Sequence, residues 1–252
     1  MEPHQSLVII PTYNERENVA AMIEAVLLLP EQFDVLIVDD ASPDGTAEIV
    51  RQEQPNWSEN RLNLLLRSGK QGLGTAYIAG FKWALEHRYN YIFEMDCDFS
   101  HPVEALPRLL KAVQEDGYDV SIGSRYVRGG RVKDWPLGRI LMSYFASVYV
   151  RLVTWLPVAD TTAGFVCWTR RVLENIILDD VHFKGYGFQI EMKYTAFCLG
   201  YRFKEVPITF VNRQLGSSKM SSSIFGEAFK GVLQLRFWHT FRRFPQRNRQ
   251  AK

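Results

Sequence analysis

Short apolar runs alternate with amphipathic stretches along the first half of the chain. The runs are Leu7–Ile10, Val35–Val38, Leu62–Leu66 and Tyr91–Met95. Continuous apolar runs rich in β-branched residues are typical of strands that are buried on both faces of a parallel sheet. Between the runs, apolar residues recur every three or four positions, as they do in amphipathic helices. The pattern predicts an α/β fold with a doubly wound, mostly parallel sheet flanked by helices.

The same pattern predicts where several elements begin and end. We expect Asn14 to cap the first helix, because acidic residues then fall in its first turn, and we expect Pro30 to end that helix. Three more helices are expected, from Pro102 to about Glu115, from about Arg139 to Trp155 and from Gly187 onward, and a strand from Asp119 to Arg125.

Polar residues follow three of the predicted strands. Pro11–Glu15 comes after the first strand, Asp39–Asp40 after the second and Asp96–Asp98 after the fourth. Ligands of doubly wound sheets bind at the carboxyl ends of the strands, which all these residues share. Any one segment is also explained as an ordinary turn between strand and helix, but three of them at one edge favour a functional site.

Asp96 and Asp98 are the candidate metal ligands. In an extended chain, residues two apart point the same way, so both carboxylates are expected to face one point, and such oxygens suit Mg²⁺ or Mn²⁺. The alternative is that Asp98 only caps the helix that starts near Pro102. His101, beside that proline, is expected to form a local hydrogen bond, and Glu191 to be a capping or buried, paired carboxylate.

The chain lacks the complete motifs of other nucleotide-binding classes. The segment Gly72–Tyr77 resembles a dinucleotide fingerprint, but Tyr77 occupies the place of the third glycine and the segment follows the third strand. A nicotinamide or flavin site is therefore not expected, and the absence of a G-x-x-x-x-G-K-[S/T] sequence argues against a P-loop NTPase. The glycines are expected mainly to allow a tight turn and close helix packing.

Length and composition fit one large domain. The chain has 252 residues, 46% of them hydrophobic, and a formal net charge of +2. The three cysteines are far apart and contain no C-x-x-C pair, which indicates a reducing compartment rather than a disulfide framework or a zinc site. The longest uncharged apolar stretch, Ile140–Val150, is too short to span a bilayer. The basic loop after Arg125 is expected either to be solvated or to move over a ligand.

Six motifs in order resemble a known family. They are Pro11–Glu15, Val38–Thr46, Gly72–Thr75, Met95–Asp98, Gly123–Tyr126 and Glu205–Ile208. Together they resemble the polyprenol-phosphate (dolichol-phosphate) mannosyltransferases, inverting glycosyltransferases of the Rossmann-like GT-A fold, in their short form without an anchor. The resemblance implies one GT-A domain over residues 1–237, with a nucleotide-binding half of about 1–125 and an acceptor half of about 126–237, and a basic, aromatic tail over 238–252.

The resemblance also implies roles for individual residues. The metal would be held by Asp96 and Asp98, the acceptor phosphate by Arg139 and Ser143, and catalysis would depend on Asp98, Arg125 and Lys219. Ser100 stands where some members have a further metal contact. The donor would contact Pro11, Tyr13, Glu15, Val38, Asp40, Asp96, Cys97, Asp98, Arg125, Arg213 and Lys219.

The implied reaction transfers mannose from GDP-mannose to polyprenyl or dolichyl phosphate with inversion, using Mg²⁺ or Mn²⁺. A phosphate monoester has a second pKa of about 6 and is largely dianionic at neutral pH, so no general base is expected. The alternatives are another donor such as UDP-glucose or UDP-GlcNAc, a non-lipid acceptor, a sugar-nucleotide pyrophosphorylase or a non-catalytic nucleotide-sugar-binding subunit. A small membrane-anchoring subunit is a candidate partner, and no nucleic acid is expected.

The end of the chain is expected to meet a membrane. Apolar residues recur every four positions from Phe225 to Phe241, and the stretch from Arg236 to Lys252 holds six Arg or Lys and no acidic residue. An aromatic stripe beside basic residues is typical of helices at the membrane interface, here the cytoplasmic face. The alternative is that the stripe up to Phe237 packs on the domain's own core and that the tail is solvated.

Overall fold

Within residues 5–185, 187–212 and 231–237, which the computed structural model describes, the central sheet has seven strands in the order β3-β2-β1-β4-β7-β5-β8. A separate two-stranded ribbon pairs β6 with β9. The strands are β1 (Ser6–Thr12), β2 (Asp34–Asp39), β3 (Leu62–Leu66), β4 (Tyr91–Glu94), β5 (Val120–Ser124), β6 (Arg131–Lys133), β7 (Val166–Thr169), β8 (Phe203–Pro207) and β9 (Thr209–Val211).

Helices cover both faces of the sheet, as predicted. One face packs against α1, α2 and α4, and the other against α3, α6 and α7. The helices are α1 (Val19–Leu27), α2 (Thr46–Glu53), α3 (Leu73–Glu86), α4 (Leu106–Gln114), α5 (Leu137–Thr154), α6 (Arg170–Asn175) and α7 (Gly187–Cys198). Among the residues that the structure describes, three short 3₁₀ segments are Gln54–Asn56, Val103–Ala105 and Leu178–Asp180. The doubly wound α/β architecture is therefore confirmed.

The predicted strands β1 to β4 run parallel, with β1 between β2 and β4. Pro11 has no N–H to give to a ladder, yet β1 continues through it to Thr12. The pairing of β1 with β4 ends at Ile9 and Glu94, so Pro11 lies beyond that ladder, while it still pairs with Val38 in the ladder between β1 and β2. This is why the strand extends past the proline.

Strand β7 was not predicted from the sequence. It lies antiparallel between β4 and β5, so a strand from the second half of the chain separates two strands from the first. The indole Nε1 of Trp168 on β7 donates to Oε1 of Glu94 on β4 at 2.6 Å, and both side chains are fully buried. The two halves of the domain are thus interleaved within one sheet.

The predicted start of the first helix was wrong. The helix begins at Val19 with Asn18 in the capping position, and Asn14 lies in a left-handed turn at φ 57°. The N–H of Asn14 donates to Oγ of Ser42 at 3.0 Å, which holds the end of β1 against the turn after β2. The polar residues after β1 therefore form a structured loop rather than a first helical turn.

Helix α5 and residues 231–237 pack beside α7. Val232 and Leu235 are buried against Val150 of α5 and against Ile190 and Tyr194 of α7. None of the described helices combines the length and the apolar character that a bilayer span requires. Of the predicted C-terminal stripe, Leu233 and Phe237 are 50% and 65% exposed, and the remaining members lie outside the described residues, as do Arg213 and Lys219.

Candidate active site

A cavity of about 900 Å³ opens at the carboxyl ends of the strands. It brings together most of the predicted site residues that the structure describes. Val38 is different: its side chain is fully buried in the core and does not line the cavity. The predicted residues on the cavity wall are Pro11, Tyr13, Glu15, Asp40, Asp96, Cys97, Asp98, Ser100, Arg125, Arg139 and Ser143.

The turns after β1 and β2 are bound together by Asp39. Its Oδ2 accepts hydrogen bonds from Thr12 Oγ1 at 2.8 Å and from Ser42 Oγ at 2.6 Å, and its Oδ1 accepts from the N–H of Ser42 at 2.9 Å. Asp39 is fully buried, and its carboxylate oxygens accept these hydrogen bonds from the two turns rather than from solvent. We conclude that Asp39 organises the wall on which Asp40 and Glu15 face the cavity.

Asp40 pairs with a residue that the sequence motifs did not reveal. Nη1 of Arg67 donates to Oδ1 of Asp40 at 2.8 Å, and Nη2 of Arg67 donates to Thr75 Oγ1 at 2.7 Å. Burial raises the pKa of Asp40 above its ordinary value, and the Arg67 guanidinium opposes that rise. Arg67 thus links the end of β3 to the start of α3 and holds the Asp40 carboxylate at the cavity.

Asp96 and Asp98 both face the cavity, but not along an extended strand. Strand β4 ends at Glu94, and Asp98 lies in a turn whose next residue, Phe99, has a φ of 58°. Oδ1 of Asp98 accepts the N–H of Ser100 at 3.0 Å, and the 3₁₀ segment from Val103 has no side-chain cap. Both residues line one cavity, but the expected extended-chain geometry and the capping alternative were wrong, and their role as metal ligands stays a prediction.

The carboxylates of Asp96 and Asp98 fit a metal ion that is also bound by a phosphate-bearing ligand. Across the described parts of the chain, no group of three or more His, Cys, Asp or Glu side chains is arranged to hold a metal ion alone. Mg²⁺ and Mn²⁺ typically combine one or two carboxylates with oxygens of a bound phosphate. Asp96 and Asp98 suit such an ion, provided that a diphosphate supplies further oxygens.

His101 holds the loop at Asp96 and Asp98 through a hydrogen bond to the backbone. Its Nδ1 accepts the backbone N–H of Asp96 at 3.1 Å, so the ring proton belongs on Nε2. Burial lowers the pKa of His101 to about 4, which leaves the ring neutral at pH 7 and able to accept that hydrogen bond. The expectation of a local hydrogen-bonding role is confirmed.

A second buried network lies behind the carboxylates. Gln189 donates from Nε2 to Oε2 of Glu94, and its Oε1 accepts from Nζ of Lys193 at 3.1 Å. Nζ of Lys193 also donates to the carbonyl of Ala163 at 2.6 Å. Burial raises the pKa of Glu94 to about 7 and lowers the pKa of Lys193 to about 8. The network ties β4, α7 and the segment before β7 together.

Arg125 is held by a buried ion pair. Its Nε donates to Oδ2 of Asp160 at 2.7 Å and its Nη2 to Oδ1 at 2.6 Å, a bidentate arrangement. Asp160 is fully buried, and its backbone N–H donates to Oε1 of Glu205 at 3.0 Å. Asp160 was not predicted because it lies far along the chain from Arg125 and belongs to none of the six motifs.

The far wall of the cavity is formed by α5 and the ribbon. Arg139 and Ser143 lie one helical turn apart on α5, and Nη1 of Arg139 donates to Oδ1 of Asn212 at 3.4 Å. Lys70 and Lys184, which sequence analysis did not single out, also line the cavity. The acidic residues that the structure places on the cavity wall are Glu15, Asp40, Asp96 and Asp98, all from the first half of the chain. The site therefore has an acidic side and a side that carries arginine.

Two solved glycosyltransferases share this fold. Glucosyl-3-phosphoglycerate synthase from Mycobacterium tuberculosis, solved with Mn²⁺, UDP and glucosyl-3-phosphoglycerate, has a TM-score of 0.67 at 15% identity and covers 94% of this chain and 80% of that chain. The mannosyltransferase PcManGT from Pyrobaculum calidifontis, in complex with GDP-Man and Mn²⁺, has a TM-score of 0.60 at 18% identity over 96% and 65%. The molecule has the GT-A fold of the glycosyltransferases.

The chain belongs to glycosyl transferase family 2, which matches residues 7–177. The undecaprenyl-phosphate mannosyltransferase of Micrococcus luteus is 46% identical over 232 residues, 90% of this chain and 91% of that protein. The polyprenol monophosphomannose synthase of Mycolicibacterium smegmatis is 46% identical over 230 residues, 91% and 86% of the two chains. The predicted resemblance and the glycosyltransferase class are confirmed, and the pyrophosphorylase and non-catalytic alternatives were wrong.

Proposed function

We propose that this enzyme transfers mannose from GDP-mannose to a polyprenyl phosphate, with inversion at the anomeric carbon. The observation that carries the proposal is the composition of the cavity, in which carboxylates line one side and Arg139 and Ser143 of α5 line the other. Mannosyl transfer to a polyprenyl phosphate is what the names of both relatives describe. A GT-A mannosyltransferase of the same fold was solved with GDP-Man, which supports that donor.

The acidic side suits the donor. Asp96 and Asp98 would hold a divalent ion against the diphosphate, while the loops at Tyr13, Glu15 and Asp40 would contact the nucleoside. The ion would neutralise the negative charge that grows on the departing GDP. Arg125, Arg213 and Lys219 are proposed to add positive charge there, and the last two lie outside the described residues.

The arginine side suits the acceptor. A phosphate monoester brings about two negative charges at neutral pH, so it must be held near an anionic donor against repulsion. Arg139 offers a guanidinium group that pairs well with phosphate oxygens, and Ser143 offers a hydroxyl on the same face of α5. Because the acceptor oxygen is already deprotonated, attack on the anomeric carbon does not require a side chain to accept a proton.

We also propose that α5 brings the enzyme to a membrane surface. Apolar side chains along one face of α5 are exposed, including Leu137 at 71%, Phe145 at 61% and Leu152 at 72%. Residues 137–154 contain Arg139 and Arg151 and no Asp or Glu. An exposed apolar stripe beside basic residues is typical of an interfacial helix, and it lies next to the acceptor side of the cavity. The cytoplasmic face and a small anchoring subunit remain part of this proposal.

The test is a transfer assay with a defined acceptor. Radiolabelled GDP-mannose, UDP-glucose and UDP-GlcNAc are each incubated with the protein, Mg²⁺ or Mn²⁺ and a purified polyprenyl phosphate, and label is measured in the organic phase. We expect label from GDP-mannose alone. The matched control replaces the polyprenyl phosphate by the free polyprenol, which should accept nothing because Arg139 would have no phosphate to bind.

The stereochemical outcome is a separate measurement. Inversion converts the α-linked mannose of the donor into a β-linked product, which the one-bond carbon–proton coupling at the anomeric position identifies by NMR. A product with retained α configuration would overturn the proposed direct attack. Label from UDP-glucose and none from GDP-mannose would show that the enzyme is a glycosyltransferase whose donor is UDP-glucose.

A further inference from the structure

Three aromatic rings form a continuous row between the two sides of the cavity, which we call the aromatic row. The ring centroids of Trp135 and Phe210 are 5.3 Å apart with an interplanar angle of 71°. The centroids of Phe210 and His101 are 5.4 Å apart at 73°. Both distances and both angles are those of favourable edge-to-face contacts. The row is therefore packed ring to ring along its length.

Each end of the aromatic row contacts a residue of the site. The guanidinium carbon of Arg139 lies 3.9 Å from the ring centroid of Trp135, well within the range of a cation–π contact. At the other end, Nδ1 of His101 accepts the backbone N–H of Asp96 at 3.1 Å. The row thus connects a proposed acceptor-phosphate residue to the backbone of a proposed metal ligand.

The row is mounted on the two-stranded ribbon. Phe210 lies in β9, where it pairs with Val132 of β6, and Trp135 follows β6 immediately before α5. The backbone N–H of Val211 donates to the carbonyl of Ser100, so the ribbon is also joined to the Asp98 loop. Strand pairing therefore fixes the backbone of Phe210, the middle ring of the aromatic row.

The aromatic row also contacts a second cation of the site. The guanidinium carbon of Arg125 lies 5.6 Å from the Trp135 centroid and 5.5 Å from the Phe210 centroid. Arg125 already has the buried carboxylate of Asp160 as its counterion. The ring of Trp135 therefore lies within cation–π range of both Arg125 and Arg139.

We propose that Trp135 and Phe210 are positioning residues that fix the acceptor-phosphate cation Arg139 relative to the metal-binding loop at Asp96. This inference rests on the proposed function, because it concerns where the acceptor phosphate binds. Aromatic side chains have few rotatable bonds, so a row of rings in contact sets a distance that flexible side chains would not. The two anionic substrates are then held at a fixed spacing before they react.

Binding measurements test the proposal without depending on turnover. Calorimetry with farnesyl phosphate as the acceptor probe, and with GDP plus Mn²⁺ as the donor probe, is carried out on the full chain and on Trp135→Leu, Trp135→Phe and Phe210→Leu. The control is Tyr118→Leu, which removes a ring that lies 5.5 Å from Arg202 and 5.4 Å from Lys204, outside the cavity. Unfolding midpoints are recorded for every variant.

We expect Trp135→Leu to weaken farnesyl phosphate binding by about tenfold, which corresponds to about 1.4 kcal/mol. Its GDP–Mn²⁺ affinity should stay within about twofold, and Trp135→Phe should restore most of the farnesyl phosphate affinity because a ring is retained. Phe210→Leu should weaken both probes, since Phe210 contacts Trp135 and His101. Tyr118→Leu should change neither.

Two results would overturn the proposal while leaving the proposed function intact. One is unchanged farnesyl phosphate affinity in Trp135→Leu, and the other is an equal loss of both probes in that variant together with a lower unfolding midpoint than the control. The second result would indicate a purely structural ring. A wild-type chain that binds GDP–Mn²⁺ but not farnesyl phosphate would overturn the acceptor assignment and, with it, the proposal.

Discussion

Asp98 is the residue on which a metal-dependent reaction would depend most directly. Its carboxylate faces the cavity, and one of its oxygens is already used to hold the N–H of Ser100. We expect Asp98→Ala to reduce transfer by at least about 10²–10³, the loss typical of a removed charge-stabilising contact, and excess EDTA to stop the wild-type enzyme.

The control for this prediction is Asp116→Ala, which removes an exposed carboxylate outside the cavity. Calorimetry should show that Asp98→Ala has also lost the Mn²⁺ dependence of GDP binding, whereas Asp116→Ala keeps it. Full turnover of the wild-type enzyme in EDTA would contradict the metal assignment.

Asp160 is predicted to contribute mainly to the stability of the fold. Replacing Asp160 with Asn leaves the nearly buried Arg125 without its bidentate counterion, and breaking a buried ion pair from one side costs about 3–5 kcal/mol. Asp179→Asn breaks an ion pair with Lys82 whose carboxylate is 80% exposed, and pairs at such sites contribute about 0–1 kcal/mol. Urea unfolding of the two variants should therefore differ clearly, and equal midpoints would show that Arg125 finds another partner.

At the scale of the element, the contact between α3 and β1 depends on a glycine. A Cβ at Gly80 would lie 2.7 Å from Cγ2 of Ile9, which is fully buried in β1. Gly80→Ala should push α3 away from the sheet and reduce the free energy of unfolding by about 1–3 kcal/mol, as overpacked cores do. Gly138→Ala in α5 is the matched control, since nothing lies within 4 Å of its Cβ and alanine favours a helix. A stable Gly80→Ala variant would mean that Ile9 can change rotamer without strain.

Elements with a strong local pattern were predictable, and short or mixed ones were not. Strands β1 to β4 follow from continuous apolar runs, because both faces of each strand are covered by helices. Strands β6 and β9 have three residues each, too few to show a period, and β7 is defined by its antiparallel partners β4 and β5. Asn14 misled the prediction because its left-handed turn places polar residues where a helix start would also have them.

The residues of the site can likewise be divided into those that were predictable from the sequence and those that were not. Residues that belong to a motif beside a strand end were found, since the parallel sheet brings those ends together. Arg67 and Asp160 were missed because each pairs with a residue that is distant in sequence, and Trp135 was missed because its ring packs against Phe210, far along the chain. No spacing along the chain indicates such pairs. Asp96 and Asp98 were expected at the cavity, where the structure places both, but the turn that contains Asp98 was not predicted.

For the whole molecule, the exposed face of α5 predicts binding to a membrane. Leu137→Ser combined with Leu152→Ser should weaken co-sedimentation with anionic vesicles by about tenfold or more, because fully burying one leucine contributes about 1.5–3 kcal/mol. The control is Leu28→Ser combined with Ile177→Ser, whose side chains are 65% and 63% exposed on other parts of the surface. Binding should also fall with added salt, given Arg139 and Arg151.

Truncation after Arg236 tests the C-terminal tail in the same assay. A weaker interaction of the truncated chain would assign part of the binding to residues 237–252. Equal binding by the α5 variant, its control and the wild type would remove α5 from the membrane proposal.

Because β7 lies between β4 and β5, the central sheet cannot be completed during synthesis until β7 has left the ribosome. While the chain is being made, β4 emerges long before Val166–Thr169, and until then one edge of the apolar segment Tyr91–Phe93 has no strand to pair with. Open apolar edges invite pairing with other chains, so the nascent polypeptide passes through a stage that is prone to aggregation. A premature stop between β5 and β7 would release a product with that edge still open, which makes such fragments substrates for chaperones and proteases rather than small nucleotide-binding proteins.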